Sequence, residues 1–96
     1  MAVKGLSAPQ ILEELKLVPL WELEGDRIAR KFRFPTFNGS IEFVNLIAHQ
    51  AEAMDHHPDI LVEYNQVTLR LSTHDAGGLS ERDFRFAQAV DRVKPN

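Results

Sequence analysis

Three of the four histidines in this chain fall in two short stretches, His56-His57 and His74. Carboxylates crowd both: Glu52, Asp55, Asp59, Asp75 and Asp83. Imidazole is the side chain that both donates and accepts a proton near neutrality. A neighbouring carboxylate fixes its tautomer and favours its charged form. A strand end and a helix end lying side by side would bring the two stretches together and place an acid and a base about one small molecule. Taken singly, a loop histidine is more often just solvated, so the pairing of the stretches carries the reading.

Other chemistries fit less well. His49, Glu52 and His56 are spaced i, i+3, i+7 along one helical face and include acceptable zinc ligands. The His-Glu-x-x-His pattern is absent, however, and Pro58 disturbs helical geometry near His56, so no metal site is expected. Ser72 or Ser80 could formally join a Ser–His–Asp set, but there is no Gly-x-Ser-x-Gly elbow, and Ser80 is better explained as a helix cap. The Gly77-Gly78 pair is too short for a phosphate loop, and no Lys follows it. The chain has no cysteine. This excludes disulfides, thiolate metal sites, iron–sulfur clusters and a thiol nucleophile, and it fits a reducing, cytoplasmic setting.

Seven elements must position these groups. Ser7 caps a first helix with Pro9 in its first turn, Ile11, Leu12 and Leu15 form its stripe, and Pro19 ends it. Leu20 to Glu24 alternates, with Trp21 and Leu23 on one side, and Gly25-Asp26 turns the chain. Arg27 to Phe34 returns with Ile28, Phe32 and Phe34 on one parity and Arg30 as the exception. Asn38 or Ser40 caps a second helix, in which Phe43, Ile47, Ala51 and Met54 form a stripe widened by Ile41, Val44 and Ala48. Pro58 stops this helix near Asp55 or His56. Ile60, Val62 and Tyr64 alternate, Asn65-Gln66 turns, and Val67, Leu69 and Leu71 point inward. Ala76-Gly77-Gly78 is a loop. Ser80-Glu81-Arg82-Asp83 is a capping box opening a last helix with Phe84, Ala87, Val90 and Val93 as its stripe. The order α-β-β-α-β-β-α predicts an α+β fold, a four-stranded antiparallel sheet with three helices packed on one face.

At 96 residues, 44% hydrophobic and 26% charged, residues 1–96 read as a single globular domain. The formal charge is −3. There is no basic stripe or basic helical face, so neither nucleic acid nor a membrane surface is expected as a direct partner. No apolar run is long enough to span a bilayer or serve as a signal peptide.

The spaced set Glu52, His56-His57-Pro58, Tyr64, His74 and Asp83 resembles the motif of the pterin-4a-carbinolamine dehydratases. That motif is an acidic residue, three spacers, His-His-Pro, an aromatic, a later His and a final Asp. Trp21 to Gly25 and Phe37-Asn38 are similar to the family's first hairpin and second-helix start, so the likeness runs from about residue 7 onward. Asp75 and Ala76 stand where animal members often have Glu and Cys. The resemblance implies dehydration of 4a-hydroxytetrahydrobiopterin to quinonoid dihydrobiopterin, in tetrahydrobiopterin recycling beside an aromatic amino-acid hydroxylase, with no metal or organic cofactor. It implies that His56 and His74 share the acid and base duties, that His57 holds the pterin and assists, and that Glu52 and Asp83 orient the imidazoles or the pterin's amino face. Asp55, Pro58, Ser72, Thr73 and Asp75 would complete the substrate contacts.

The family also implies a homodimer or homotetramer formed through helix two. A rival class of function comes with it, a non-catalytic binding module acting as a dimerisation cofactor for a transcription factor or as an assembly factor. Retention of all three site histidines favours catalysis.

Overall fold

The computed structural model describes residues 3–94. Its elements are α1 (Ala8–Leu15), β1 (Glu22–Glu24), β2 (Arg27–Arg33), α2 (Phe37–Met54), β3 (Asp59–Glu63), β4 (Gln66–Leu71), a single 3₁₀ turn (His74–Ala76) and α3 (Glu81–Val93). The expected α-β-β-α-β-β-α order is present. The four strands form one antiparallel sheet in the order β1-β2-β4-β3.

Period-two alternation sends Ile28 and Phe32 of β2 and Val67, Leu69 and Leu71 of β4 into one core. α2 covers them with Phe43, Ile47 and Ala51, and α3 with Phe84, Phe86, Ala87 and Val90. Ile11 and Leu15 of α1 pack against the margin and are only partly buried. The register aligns Ile28 with Leu71 and Phe32 with Val67. It brings the end of β4, and hence Ser72 to His74, beside the start of β2.

Several local expectations are corrected. Thr36, rather than Asn38 or Ser40, caps α2: its hydroxyl accepts the Gly39 N–H at 3.0 Å. Asn38 and Ser40 lie inside the helix, and Ser40 is fully buried. The β3–β4 turn is Tyr64-Asn65 rather than Asn65-Gln66, because Glu63 pairs with Gln66. Alternation cannot separate the two turns, since either keeps Val62 and Val67 on the same face. Tyr64 therefore leaves the strand and adopts a left-handed φ of 53°.

Trp21 is buried just ahead of β1. Leu23, opposite buried Ile28, faces the core side but stays exposed on the edge strand. Met54 and Val93, expected in the buried stripes, are also exposed, while Phe86 is buried. Arg30 breaks the apolar parity of β2 for a definite reason. Its guanidinium reaches Asp91 of α3 at 2.5 Å and lies over the Phe32 ring at 4.3 Å. The Trp21 indole N–H donates to the same carboxylate at 2.8 Å.

Candidate active site

α2 ends because Asp55 takes a left-handed conformation with φ 49°, and the His56 N–H then closes on the Ala51 carbonyl at 3.1 Å. This turn points the His56 ring inward, edge-on to Phe86 at 6.2 Å between centroids. His56 is 8% exposed. Its Nε2 lies 2.6 Å from Oδ1 of Asp83, the third residue of α3, which is fully buried. The other Asp83 oxygen, Oδ2, accepts the Ser80 N–H at 2.9 Å and the Thr73 hydroxyl at 2.9 Å. The expected capping box thus exists, with the Ser80 hydroxyl receiving the Arg82 N–H. Its carboxylate serves the helix end and the imidazole together.

His57 follows on the exposed side, its Nε2 2.7 Å from Glu52 Oε2 across the last turn of α2. Both side chains are largely solvated, so this contact orients the ring while contributing little stability. His74 opens the 3₁₀ turn and is exposed. The loop that carries it is tied at its base. The Thr73 N–H donates to the Gly78 carbonyl at 2.8 Å, and the Gly77 N–H donates to the His74 carbonyl at 2.9 Å. Gly77 takes φ 71°, where a side chain would be strained. An N-terminal strap backs the loop: Gly5 bridges Ser80, and a Cβ there would lie 3.0 Å from the Ala76 carbonyl oxygen.

These pieces surround a cavity of about 200 Å³ lined by Asp55, His56, His57, Ser72, Thr73, His74, Asp75 and Arg82. The end of α2 and the end of β4 therefore lie side by side, and the start of α3 joins them. Glu52 stands behind His57 rather than on the wall. Pro58, expected among the contacts, lies half-buried ahead of β3 and does not line the cavity. Thr73 borders the cavity, but its hydroxyl is turned into the protein. Arg82 joins the wall without a motif of its own in the sequence. It adjoins Asp83 in the capping box, and the 100° step of a helix sends it outward when Asp83 points in. Arg82 also lines a second hollow of about 170 Å³ with Met54, Asp55, His56 and Arg85.

His49 is exposed on α2, away from both hollows. Among the described residues, no three His, Asp or Glu side chains are grouped so as to hold a metal ion, and no helix is long and apolar enough to cross a membrane. A larger concavity of about 440 Å³ covers the open sheet face, lined by Glu22, Lys31, Thr68 and Arg70 among others. It contains no histidine.

The chain is similar to known proteins over nearly its whole length. The family model for pterin 4 alpha carbinolamine dehydratase matches residues 4–93. A protein of Chloroflexus aurantiacus, provisionally named pterin-4-alpha-carbinolamine dehydratase, is 50% identical over 88 residues, 92% of this chain and 95% of that one. The crystal structure of a transcriptional coactivator/pterin dehydratase from Brucella melitensis superposes with a TM-score of 0.87 at 30% identity. That match covers 94% of this chain and 98% of the other. A pterin dehydratase-like RuBisCO assembly factor of the alpha-carboxysome shares the fold, with a TM-score of 0.62 at 24% identity over 76% of this chain and 84% of that one.

Proposed function

Because the chain belongs to the pterin 4 alpha carbinolamine dehydratase family, we propose that it removes water from a 4a-hydroxytetrahydropterin to give the quinonoid dihydropterin. The physiological setting would be tetrahydrobiopterin recycling in the cytoplasm. The observation that carries this reading is the cavity where His56, backed by a buried carboxylate, meets His57 and His74.

The reaction breaks the C4a–O bond and the N–H bond of the adjacent ring nitrogen. Hydroxide leaves poorly, so the hydroxyl takes a proton as it departs and leaves as water. A base accepts the ring-nitrogen proton, and a carbon–nitrogen double bond forms. One acid and one base near neutral pKa suffice, and general acid–base help is typically worth ~10²–10⁴-fold. His56 and His74 share these duties. His56 is held rigidly by Asp83, whereas His74 stands on the tied loop with an exposed ring. His57, oriented by Glu52, holds the pterin. Asp55, Asp75 and Ser72 offer acceptors, and a donor in the case of Ser72, for the polar edge of the ring, and Arg82 offers a cation at the mouth.

The test is turnover of a 4a-hydroxytetrahydropterin followed by ultraviolet absorbance, with and without exhaustive chelation. Acceleration that survives chelation supports the reading. Acceleration abolished by chelation and restored by zinc would replace it with metal catalysis.

A second reading rests on one flank of α2, where Phe37, Ile41 and Ala48 are exposed. This face would serve self-association to a dimer or tetramer. It would also serve a protein partner, in keeping with the coactivator and assembly-factor names of the two structural relatives.

A further inference from the structure

The hydrogen bonds behind His56 have a direction that can be worked out atom by atom. A backbone N–H can only donate, so Asp83 Oδ2 accepts from Ser80. The Thr73 hydroxyl, 2.9 Å from the same oxygen, spends its one proton there. Its 2.7 Å contact with Ser80 Oγ must therefore be one in which Ser80 donates. Ser80 Oγ in turn accepts the Arg82 N–H at 3.2 Å. The chain runs one way, from the Arg82 amide through Ser80 and Thr73 to Asp83, and leaves no hydroxyl proton unused. Thr73, Ser80 and Asp83 are all buried, at 4%, 0% and 0% exposure. In such surroundings aligned hydrogen bonds reinforce one another, and an acceptor taking several donors at once is best met by a carboxylate.

The geometry points to Thr73 and Ser80 as positioning residues that act through Asp83. Their hydroxyls hold the carboxylate as an acceptor, so neutral His56 keeps its proton on Nε2 and leaves Nδ1 as the nitrogen that exchanges protons with a substrate. The tautomer stands independently of what the cavity turns over. Only its effect on rate rests on the dehydratase reading.

Nitrogen-15 NMR of His56, at a pH where the imidazole is neutral, reads the tautomer directly. Protonated Nε2 and unprotonated Nδ1 are expected in the unaltered protein. Thr73→Val keeps the branched shape and removes the hydroxyl. It should mix the tautomers and lower kcat roughly tenfold, the scale of one hydrogen bond to a charged group, with KM moving less than about twofold. Thr73→Ser should restore both. Should Thr73→Val fail to fold, Thr73→Ala removes the same hydroxyl and carries the same test. Thr36→Ala removes a cap hydroxyl of α2 outside the cavity, and should lower the melting temperature with no change in tautomer or kcat.

A proton on Nδ1 in the unaltered protein would overturn the assignment. So would a Thr73→Val protein that loses stability but keeps tautomer and kcat. Tautomers that respond as expected in a protein that dehydrates no 4a-hydroxypterin would leave the positioning intact and refute the proposed reaction instead.

Discussion

Asp83 does two things with two oxygens, and one substitution separates them. In Asp83→Asn the amide oxygen can occupy the Oδ2 position and still accept from Ser80 and Thr73, so the cap survives and stability should fall by less than ~1 kcal/mol. The amide NH₂ then faces His56 Nε2, where a donor meets a donor. His56 must shift its proton to Nδ1, which is the wrong tautomer for exchange at that nitrogen. Turnover should fall on the order of 10²-fold or more, with near-native denaturation by heat. Full activity with a lowered melting temperature would make Asp83 a cap alone. His56→Ala and His74→Ala should each lower kcat by a similar ~10²-fold. His49→Ala, exposed on α2 and outside the cavity, should be kinetically silent, and equal losses at His49 and His74 would show the site to be wrongly drawn. At this scale the sequence was readable where chemistry is encoded by residue type, as in the histidines and the Ser80–Asp83 box. It was unreadable where chemistry depends on which way a hydroxyl or guanidinium turns. Thr73 is the example: spacing puts it beside His74, and only the packed structure shows its hydroxyl facing Asp83.

At the scale of elements, periodicity locates strands and helices but not the turn between two alternating strands. The hairpin with Tyr64-Asn65 and one with Asn65-Gln66 bury the same side chains, so the choice falls to backbone energetics and neighbours. The Asn65 carbonyl accepts the Phe34 N–H at 2.8 Å, which ties the turn to the end of β2. Likewise residue type alone leaves the cap of α2 open, since Thr36, Asn38 and Ser40 are all plausible caps by type, and only Thr36 has the extended conformation a cap requires. The turn leaves a measurable residue of strain. Tyr64 holds φ 53° while its side chain is 68% exposed. A left-handed conformation costs a bulky residue about 1–2 kcal/mol, and Asn tolerates it better. Tyr64→Asn should therefore raise stability by about 0.5 kcal/mol or more in urea unfolding. Turnover should not change, because this turn lies at the opposite end of β4 from Ser72 and the cavity. A loss of activity without loss of fold would give Tyr64 a role beyond the turn.

At the scale of the whole molecule, the outward face of α2 is the feature that a monomer leaves unexplained. The inward stripe, Phe43, Ile47 and Ala51, is fully used by the core. Phe37 and Ile41, one turn apart on the same helix, are nonetheless 49% and 36% exposed, and exposed Ala48 continues their row. Single exposed apolar residues are ordinary, but several on one helix of a small domain are the mark of an interaction surface. A symmetric pair would bury the same face of both copies and remove these side chains from water at about 25 cal/mol per Å² of apolar area. Sedimentation at micromolar concentration should therefore show a dimer or tetramer, and an 11 kDa species alone would refute this. Phe37→Glu with Ile41→Glu should shift the population to monomer. Both positions are exposed within one chain, so the monomer's own fold should lose little, within about 0.5 kcal/mol per site. The histidines and their supports, from the end of α2 to the start of α3, all lie on one chain. A folded monomeric variant should therefore retain most of its turnover. If monomerisation abolished turnover while His56 kept its tautomer, a second copy would have to complete the site, and the α2 face would belong to the chemistry as well as to assembly.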